Sequence, residues 1–167
     1  NKVLLNNVDH HDLTVAVAHG PEHGDSVNLV MLFPTEFVEA AREYPILLRK
    51  DEQGEFYAVA LLGLERDENL FLAAPSWDAR YVPAVRRAGP FAIVIENDEP
   101  MVHVDLDDPR VGKPGAPLFR EHGGNAPYLD YITDVLRTIH AGAGIASSLY
   151  EALDAAGLIE PVEVQVQ

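Results

Sequence analysis

The amino-acid sequence predicts an α+β fold with a mostly antiparallel sheet, formed by a single domain over residues 1–167. Apolar stretches of strand length, separated by short turns, fill the first two thirds of the chain. Helical periodicity is confined to one short helix near residues 35–44 and a helical pair near residues 126–156. Because strands and helices do not alternate regularly, a parallel sheet built from βαβ units is not expected.

The first two predicted strands flank a turn that contains histidine, glycine and proline. Residues 12–18 alternate in polarity as a half-buried strand does. The turn is predicted at residues 19–25, and the second strand at residues 27–33.

A short helix is predicted next, with Thr35 as its N-cap and Pro45 just beyond its end. Its apolar face consists of Phe37, Ala40, Ala41 and Tyr44. Its other face carries Glu36, Glu39 and Glu43. We expect these three carboxylates to be solvated, as is usual on the polar face of an amphipathic helix.

Further strands are predicted at residues 46–49, 56–64, 69–73, 91–95 and 101–106. The first two of these flank a turn at residues 51–54. The stretch 91–95 is continuously apolar, which is typical of a buried central strand. We expect it to pair with residues 101–106 across the turn that ends at Pro100.

The last third of the chain is predicted to be a long loop followed by helices. Residues 107–126 are rich in Gly, Pro and Asp. Gly142 and Gly144 are expected to break or bend the helical segment into a pair. A final strand is predicted from the alternation of Val162, Val164 and Val166.

Composition excludes several classes of function. The chain has no cysteine, so disulfides, thiolate metal sites and cysteine nucleophiles are excluded. Its formal net charge is −15, which disfavours nucleic acid and anionic lipid and favours cations or a protein with a basic face. No apolar run approaches the ~20 residues of a membrane span, and neither a signal peptide nor a Gly-rich phosphate loop is found. We therefore expect a soluble, cytoplasmic protein.

The strongest candidate binding residues lie between positions 77 and 87. Arg86 and Arg87 form a basic pair in an acidic chain, close in sequence to Trp77 and Tyr81. A guanidinium group binds a carboxylate or phosphate with two parallel hydrogen bonds, and the rings offer a stacking surface. The alternative is that the arginines simply pair with the surplus of carboxylates.

A divalent metal is the one cofactor that the residues suggest. His11, His19 and His23 lie near several carboxylates, and imidazole with carboxylate suits Zn²⁺ or Fe²⁺. However, a strand between His11 and His19 would separate them by on the order of 26 Å. Solvated histidines are the alternative, and the sequence shows no catalytic constellation.

Several blocks of the chain, in their order, resemble the SapC family of bacterial proteins over about residues 10–163. The blocks are His11-Asp12-Leu13, Glu36-Phe37, Tyr44-Pro45-Ile46, Ala60-Leu61-Leu62-Gly63-Leu64, Glu68-Asn69-Leu70-Phe71, Trp77, Tyr81-Val82-Pro83, Arg86-Arg87, Pro90-Phe91, Pro117-Leu118-Phe119, Gly123-Gly124, Tyr128-Leu129 and Gly157-Leu158-Ile159-Glu160-Pro161. The chain departs from the family at Leu13-Thr14, where an Arg is usual, and at Ala88-Gly89, where an aromatic is usual. Members of the family commonly continue past Val166, so part of their C-terminal segment is expected to be missing here.

The resemblance supplies no catalytic residue, and it implies no more than an accessory or substrate-presenting role. The leading hypothesis is a non-catalytic protein that recognises a peptide or partner protein. A small metal-dependent enzyme using the N-terminal histidines is the alternative, and a structural component of the cell envelope or surface layer is the third. The oligomeric state stays open, since the apolar strands could pair within the domain or across a homodimer.

Overall fold

Every strand pairing in residues 1–164, the part of the chain that the computed structural model describes, is antiparallel. The strands are β1 (Lys2–Leu4), β2 (Thr14–Val15), β3 (Leu29–Leu32), β4 (Ile46–Lys50), β5 (Phe56–Leu61), β6 (Leu72–Ala73), β7 (Ser76–Trp77), β8 (Phe91–Glu96), β9 (Glu99–Asp105) and β10 (Ala116–Pro117). The α-helices are α1 (Phe37–Ala40), α2 (Ala84–Arg87) and α3 (Pro127–Ala155), and short 3-10 turns cover Pro21–His23 and Pro34–Glu36. The α+β prediction is confirmed.

The first three-stranded sheet has the order β3-β5-β4. Its β4–β5 hairpin is the one predicted around residues 51–54. There the Asp51 carboxylate accepts the backbone N–H groups of Gln53 and Glu55, and Gly54 adopts a φ of 85°. The central strand β5 buries Ala58, Val59 and Ala60 beneath its neighbours.

The second three-stranded sheet has the order β1-β9-β8, which corrects the prediction that residues 91–95 form a central strand. The centre is β9, because β1 pairs with its other side, Val3 lying opposite Val104. The exposed fraction along β8 accordingly rises from 4% at Phe91 to 54% at Ile95. The β8–β9 turn uses positive φ angles at Asn97 and Asp98, as a two-residue hairpin of matching twist requires.

A single 29-residue helix, α3, replaces the predicted helical pair. It continues through Gly142 because this glycine is where the helix packs on the chain near Phe33 and Thr35. A Cβ atom at position 142 would lie 2.5 Å from both the Phe33 Cβ and the Thr35 Oγ1. The helix spans two hydrophobic cores, with Leu136 in the core beneath β8 and β9 and Tyr150 in the core beneath β5.

The predicted helix near residues 35–44 is shorter than expected. A 3-10 turn over Pro34–Glu36 leads into α1, which ends at Ala40, and Thr35 is not the N-cap. Its hydroxyl instead donates to the Thr138 carbonyl of α3. The expectation that Glu36 is solvated is wrong, since it is 1% exposed.

Several other strands lie where they were predicted but are shorter than expected. The strand expected over residues 12–18 is reduced to β2, which pairs with β10 inside the predicted loop 107–126. Residues 162–164 form no strand, and Val166 lies outside the described residues. No helix within residues 1–164 combines the length and the apolar character needed to cross a bilayer.

Two glycines of α3 make a matched pair for testing this packing. Gly142→Ala is expected to lower the free energy of unfolding by about 1–3 kcal/mol, because the new methyl group has no room. Gly144→Ala is expected to raise it by about 0.5–1 kcal/mol through helix propensity, because nothing beyond the adjacent helix backbone lies within 4 Å of the place its methyl group would take. Urea unfolding followed by Trp77 fluorescence measures both, and stabilisation by both alanines would contradict the close approach at Gly142.

Candidate functional site

The predicted binding residue Arg86 lies on α2 and is held by the loop that precedes β3. Its guanidinium donates to the Gly24 carbonyl oxygen at 2.9 Å and lies 3.8 Å from the Asp25 carboxylate. The Arg86 side chain is 23% exposed, and Asp25 is 1% exposed. Burial lowers the pKa of Arg86 although Asp25 opposes the shift.

The buried Asp25 carboxylate organises this loop. It accepts a hydrogen bond from the Gly20 N–H and lies 3.2 Å from the Nδ1 of His19. Burial alone would raise the pKa of Asp25, but the hydrogen bonds from His19 and Gly20 and the charge of Arg86 outweigh it, so the pKa is lowered. The carboxylate is therefore ionised at neutral pH and serves as an acceptor in the fold.

Arg87 points to a different partner from its neighbour. Its guanidinium donates to the Tyr81 hydroxyl at 2.9 Å and lies over the Tyr81 ring, 4.8 Å from the centroid. Tyr81 in turn donates to Glu36 at 2.8 Å. Burial raises the pKa of Tyr81, and the hydrogen bond to Glu36 adds to this effect. Arg87, Tyr81 and Glu36 thus form one hydrogen-bonded chain that ends on a buried carboxylate.

Trp77 completes the group but turns its polar atom inward. The residue is 7% exposed, and its indole N–H donates to the Tyr44 hydroxyl at 2.9 Å. Tyr44 donates to the Tyr81 carbonyl oxygen, and burial raises the pKa of Tyr44 to about 12. The structure therefore brings Trp77, Tyr81 and Arg87 together, while Arg86 lies against the Gly24–Asp25 loop.

The three histidines predicted as metal ligands have separate surroundings. His11 lies beside Asp12 at 2.9 Å with its side chain 46% exposed, whereas His19 packs edge-on against Trp77. His23 lies 3.7 Å from Glu22. Among residues 1–164, no group of three or more His, Asp or Glu side chains could hold a metal ion.

An apolar groove that the sequence did not predict lies between β8 and α3. Its volume is about 370 Å³, within the usual range for ligand sites. Residues of α2 and the turn after it close one end, residues of β8 form one wall, and residues of α3 form the other. The lining residues are Val85, Ala88 and Gly89, then Phe91, Ala92, Ile93 and Ile95, then Leu136, Ile139, His140 and Ala143.

The wall formed by β8 is an open sheet edge, and its hydrogen-bond pattern can be deduced from the register. The Asp105 N–H donates to the Pro90 carbonyl, so the hydrogen-bonded pairs with β9 fall at every second residue from position 90. Ala92 and Val94 therefore pair with β9, while the N–H and C=O groups of Ile93 and Ile95 point away from it. No backbone hydrogen bond to Ile93 or Ile95 from outside the sheet is found within residues 1–164.

Within residues 1–164, β8 has no lysine, proline or bulge of the kind with which proteins usually block unwanted strand pairing. Natural edges carry lysine or proline, a bulge, or a covering element. The β8 sequence Phe-Ala-Ile-Val-Ile-Glu has neither lysine nor proline, and its pairing with β9 shows no bulge. Low charge and high β-propensity were visible in the sequence, but they indicated burial as readily as an open edge.

A family model described as SapC matches residues 5–167, essentially the whole chain. No curated protein and no solved structure matches the chain.

Proposed function

The chain belongs to the SapC family, and from that premise we propose that it is a non-catalytic binding protein that captures an extended segment of a peptide or partner protein along β8. The observation that carries this proposal is an open strand edge beside an apolar groove. An added strand would hydrogen-bond to the outward groups of Ile93 and Ile95, and its alternate side chains would enter the groove.

The β8 edge and the apolar groove would contribute to binding in different ways. An unpaired edge offers main-chain hydrogen bonds to any extended chain, and these supply affinity without regard to sequence. The groove supplies selection, because only apolar side chains of suitable size displace water from a wall made of Ile93, Ile95 and Ile139. Together they fit an extended segment better than a compact small molecule.

In this proposal the arginine and aromatic group supports the groove. Val85 of α2 and Ala88, which follows the helix, line the groove, and Arg86 and Arg87 tie the same short helix to Gly24 and Tyr81. A four-residue helix has little stability of its own, so its position depends on such anchors. Direct binding of a ligand carboxylate by Arg86 and Arg87, with Trp77 and Tyr81, is the competing proposal, and the two differ in where the ligand makes contact.

Selection from a random-peptide display library tests the proposal. Wild-type protein is expected to enrich extended, apolar-alternating peptides, and Ile95→Asp is expected to reduce the recovery of those peptides at least tenfold, because a carboxylate would then lie in the groove. Val38→Asp is the matched control, since Val38 is 72% exposed on α1 and is expected to change nothing. Equal recovery by Ile95→Asp, or no enrichment by the wild type, would overturn the proposal.

A further inference from the structure

The two faces of β8 have different chemistry, and this difference specifies the captured segment beyond its being extended. Side chains alternate along a strand, so Phe91, Ile93 and Ile95 share the face that lines the groove. By the same alternation, the side chains of Ala92, Val94 and Glu96 share the opposite face, although Ala92 also contributes to the lining of the groove. A strand added beside β8 presents its own side chains alternately to these two faces.

The opposite face ends in two carboxylates that oppose each other. Glu96 of β8 lies directly across from Glu99 of β9 in the register, and Asp98 lies in the turn between them. Like charges in directly opposed positions destabilise a strand pair. Within residues 1–164, the side chain of Glu96 contacts the Nε2 of His103 at 2.8 Å and remains 42% exposed.

We infer that the captured segment is an amphipathic cationic strand, with apolar side chains facing the groove and lysine or arginine on its other face beside Glu96. This inference rests on the proposed function and names the ligand class for that same edge. A cationic side chain at this position would be a direct cross-strand neighbour of Glu96, and opposite charges so placed stabilise strand pairing. It would also relieve the repulsion between Glu96 and Glu99.

The charge of the whole chain selects against the other occupants of such an edge. A second copy would bring a further net charge of −15 to an interface flanked by carboxylates. Its own β8 has no lysine or arginine to place beside Glu96. An acidic segment meets the same repulsion, and the long-range field of the protein speeds association only with cations.

Three synthetic eight-residue peptides, acetylated and amidated, provide the test. Each carries valine at alternate positions, and the remaining positions are all lysine, all glutamine or all glutamate. Binding is measured by fluorescence anisotropy at low and high salt. We expect the lysine peptide to bind about fivefold or more tighter than the glutamine peptide, with a difference that shrinks at high salt. The glutamate peptide should bind weakest.

Variants separate failure of this inference from failure of the proposed function. Glu96→Gln with Glu99→Gln should remove most of the lysine preference, whereas Glu121→Gln, in an exposed loop, should not. If the lysine and glutamine peptides bind equally well and Ile93→Pro abolishes the binding of both, the charge inference is overturned and edge capture stands. Binding that is absent, or unchanged by Ile93→Pro, would overturn both. A dimer of wild-type protein in sedimentation velocity that Ile93→Pro dissociates would make a second copy the occupant and overturn the inference.

Discussion

Replacing Glu36 with alanine is expected to lower the free energy of unfolding by about 3–4 kcal/mol. The Glu36 carboxylate is 1% exposed and accepts three hydrogen bonds. The donors are the Phe33 N–H at 2.9 Å, the Tyr81 hydroxyl at 2.8 Å and the Ala84 N–H at 2.7 Å. Alanine would leave these three groups without this acceptor at a buried position.

The consequence extends to the groove, because Tyr81 and Ala84 belong to the segment that positions α2. Urea unfolding followed by the fluorescence of Trp77, the single tryptophan, measures the loss. Glu39→Ala is the matched control on α1, where the carboxylate is 53% exposed and contacts Arg42. That change should stay within about 0.5 kcal/mol. Equal effects of the two substitutions would contradict the structural role of Glu36.

Proline at position 93 is expected to weaken capture of a wild-type-selected peptide more than tenfold while the protein remains folded. The Ile93 N–H points away from β9, so its removal costs no hydrogen bond in the unbound sheet. It removes a donor to the added strand and, through the proline ring, blocks close approach. The smaller side chain of proline also costs some packing, for which about 1–2 kcal/mol of stability is expected to be lost.

The neighbouring residue provides a sharp control for this backbone argument. The Ala92 N–H points toward β9, opposite His103, so Ala92→Pro removes a ladder hydrogen bond and should destabilise the fold by about 3 kcal/mol. Ile93→Val keeps the N–H and a branched side chain and should retain capture within about threefold. If Ile93→Pro captures peptide as well as wild type does, β8 is not the edge that is used.

The sequence predicted β4, β5, β8 and β9 because each depends on local periodicity and on turn residues between neighbouring strands. It could not rank β8 as an edge, since that depends on β1, whose Val3 pairs with Val104 from a hundred residues away. A continuous apolar run fits a central strand and an edge facing an apolar groove equally well. Only the position of β1 on the far side of β9 decides between them.

The wrong expectations about Glu36 and Gly142 also have non-local causes. Glu36 shares helical spacing with Glu39, yet its partner Tyr81 lies 45 residues further on and its partner Ala84 lies 48 residues further on. Gly142 was expected to interrupt a helix because its intrinsic helix propensity is low. In the structure, the absence of a side chain at Gly142 lets the helix approach Phe33 closely, and no local sequence pattern reveals this contact.

The candidate binding residues are close together in the sequence, but the structure brings only some of them into contact. Trp77, Tyr81 and Arg87 are linked through hydrogen bonds that include the Tyr44 hydroxyl. Arg86 is adjacent to Arg87 in sequence but lies on the Asp25 side of α2. A paired-arginine clamp requires both side chains to converge, and consecutive residues of a helix point in directions about 100° apart.

Amide hydrogen exchange of the protein with and without a selected peptide tests the central claim most directly. If a strand adds to β8, the Ile93 and Ile95 amides gain protection on binding, whereas Ala92 and Val94, already paired with β9, change little. Protection that appears on alternate residues of β8 is specific to strand addition. Unchanged exchange at Ile93 and Ile95, with new protection around Arg86 and Arg87 instead, would contradict capture at the β8 edge and favour a ligand held by the arginines.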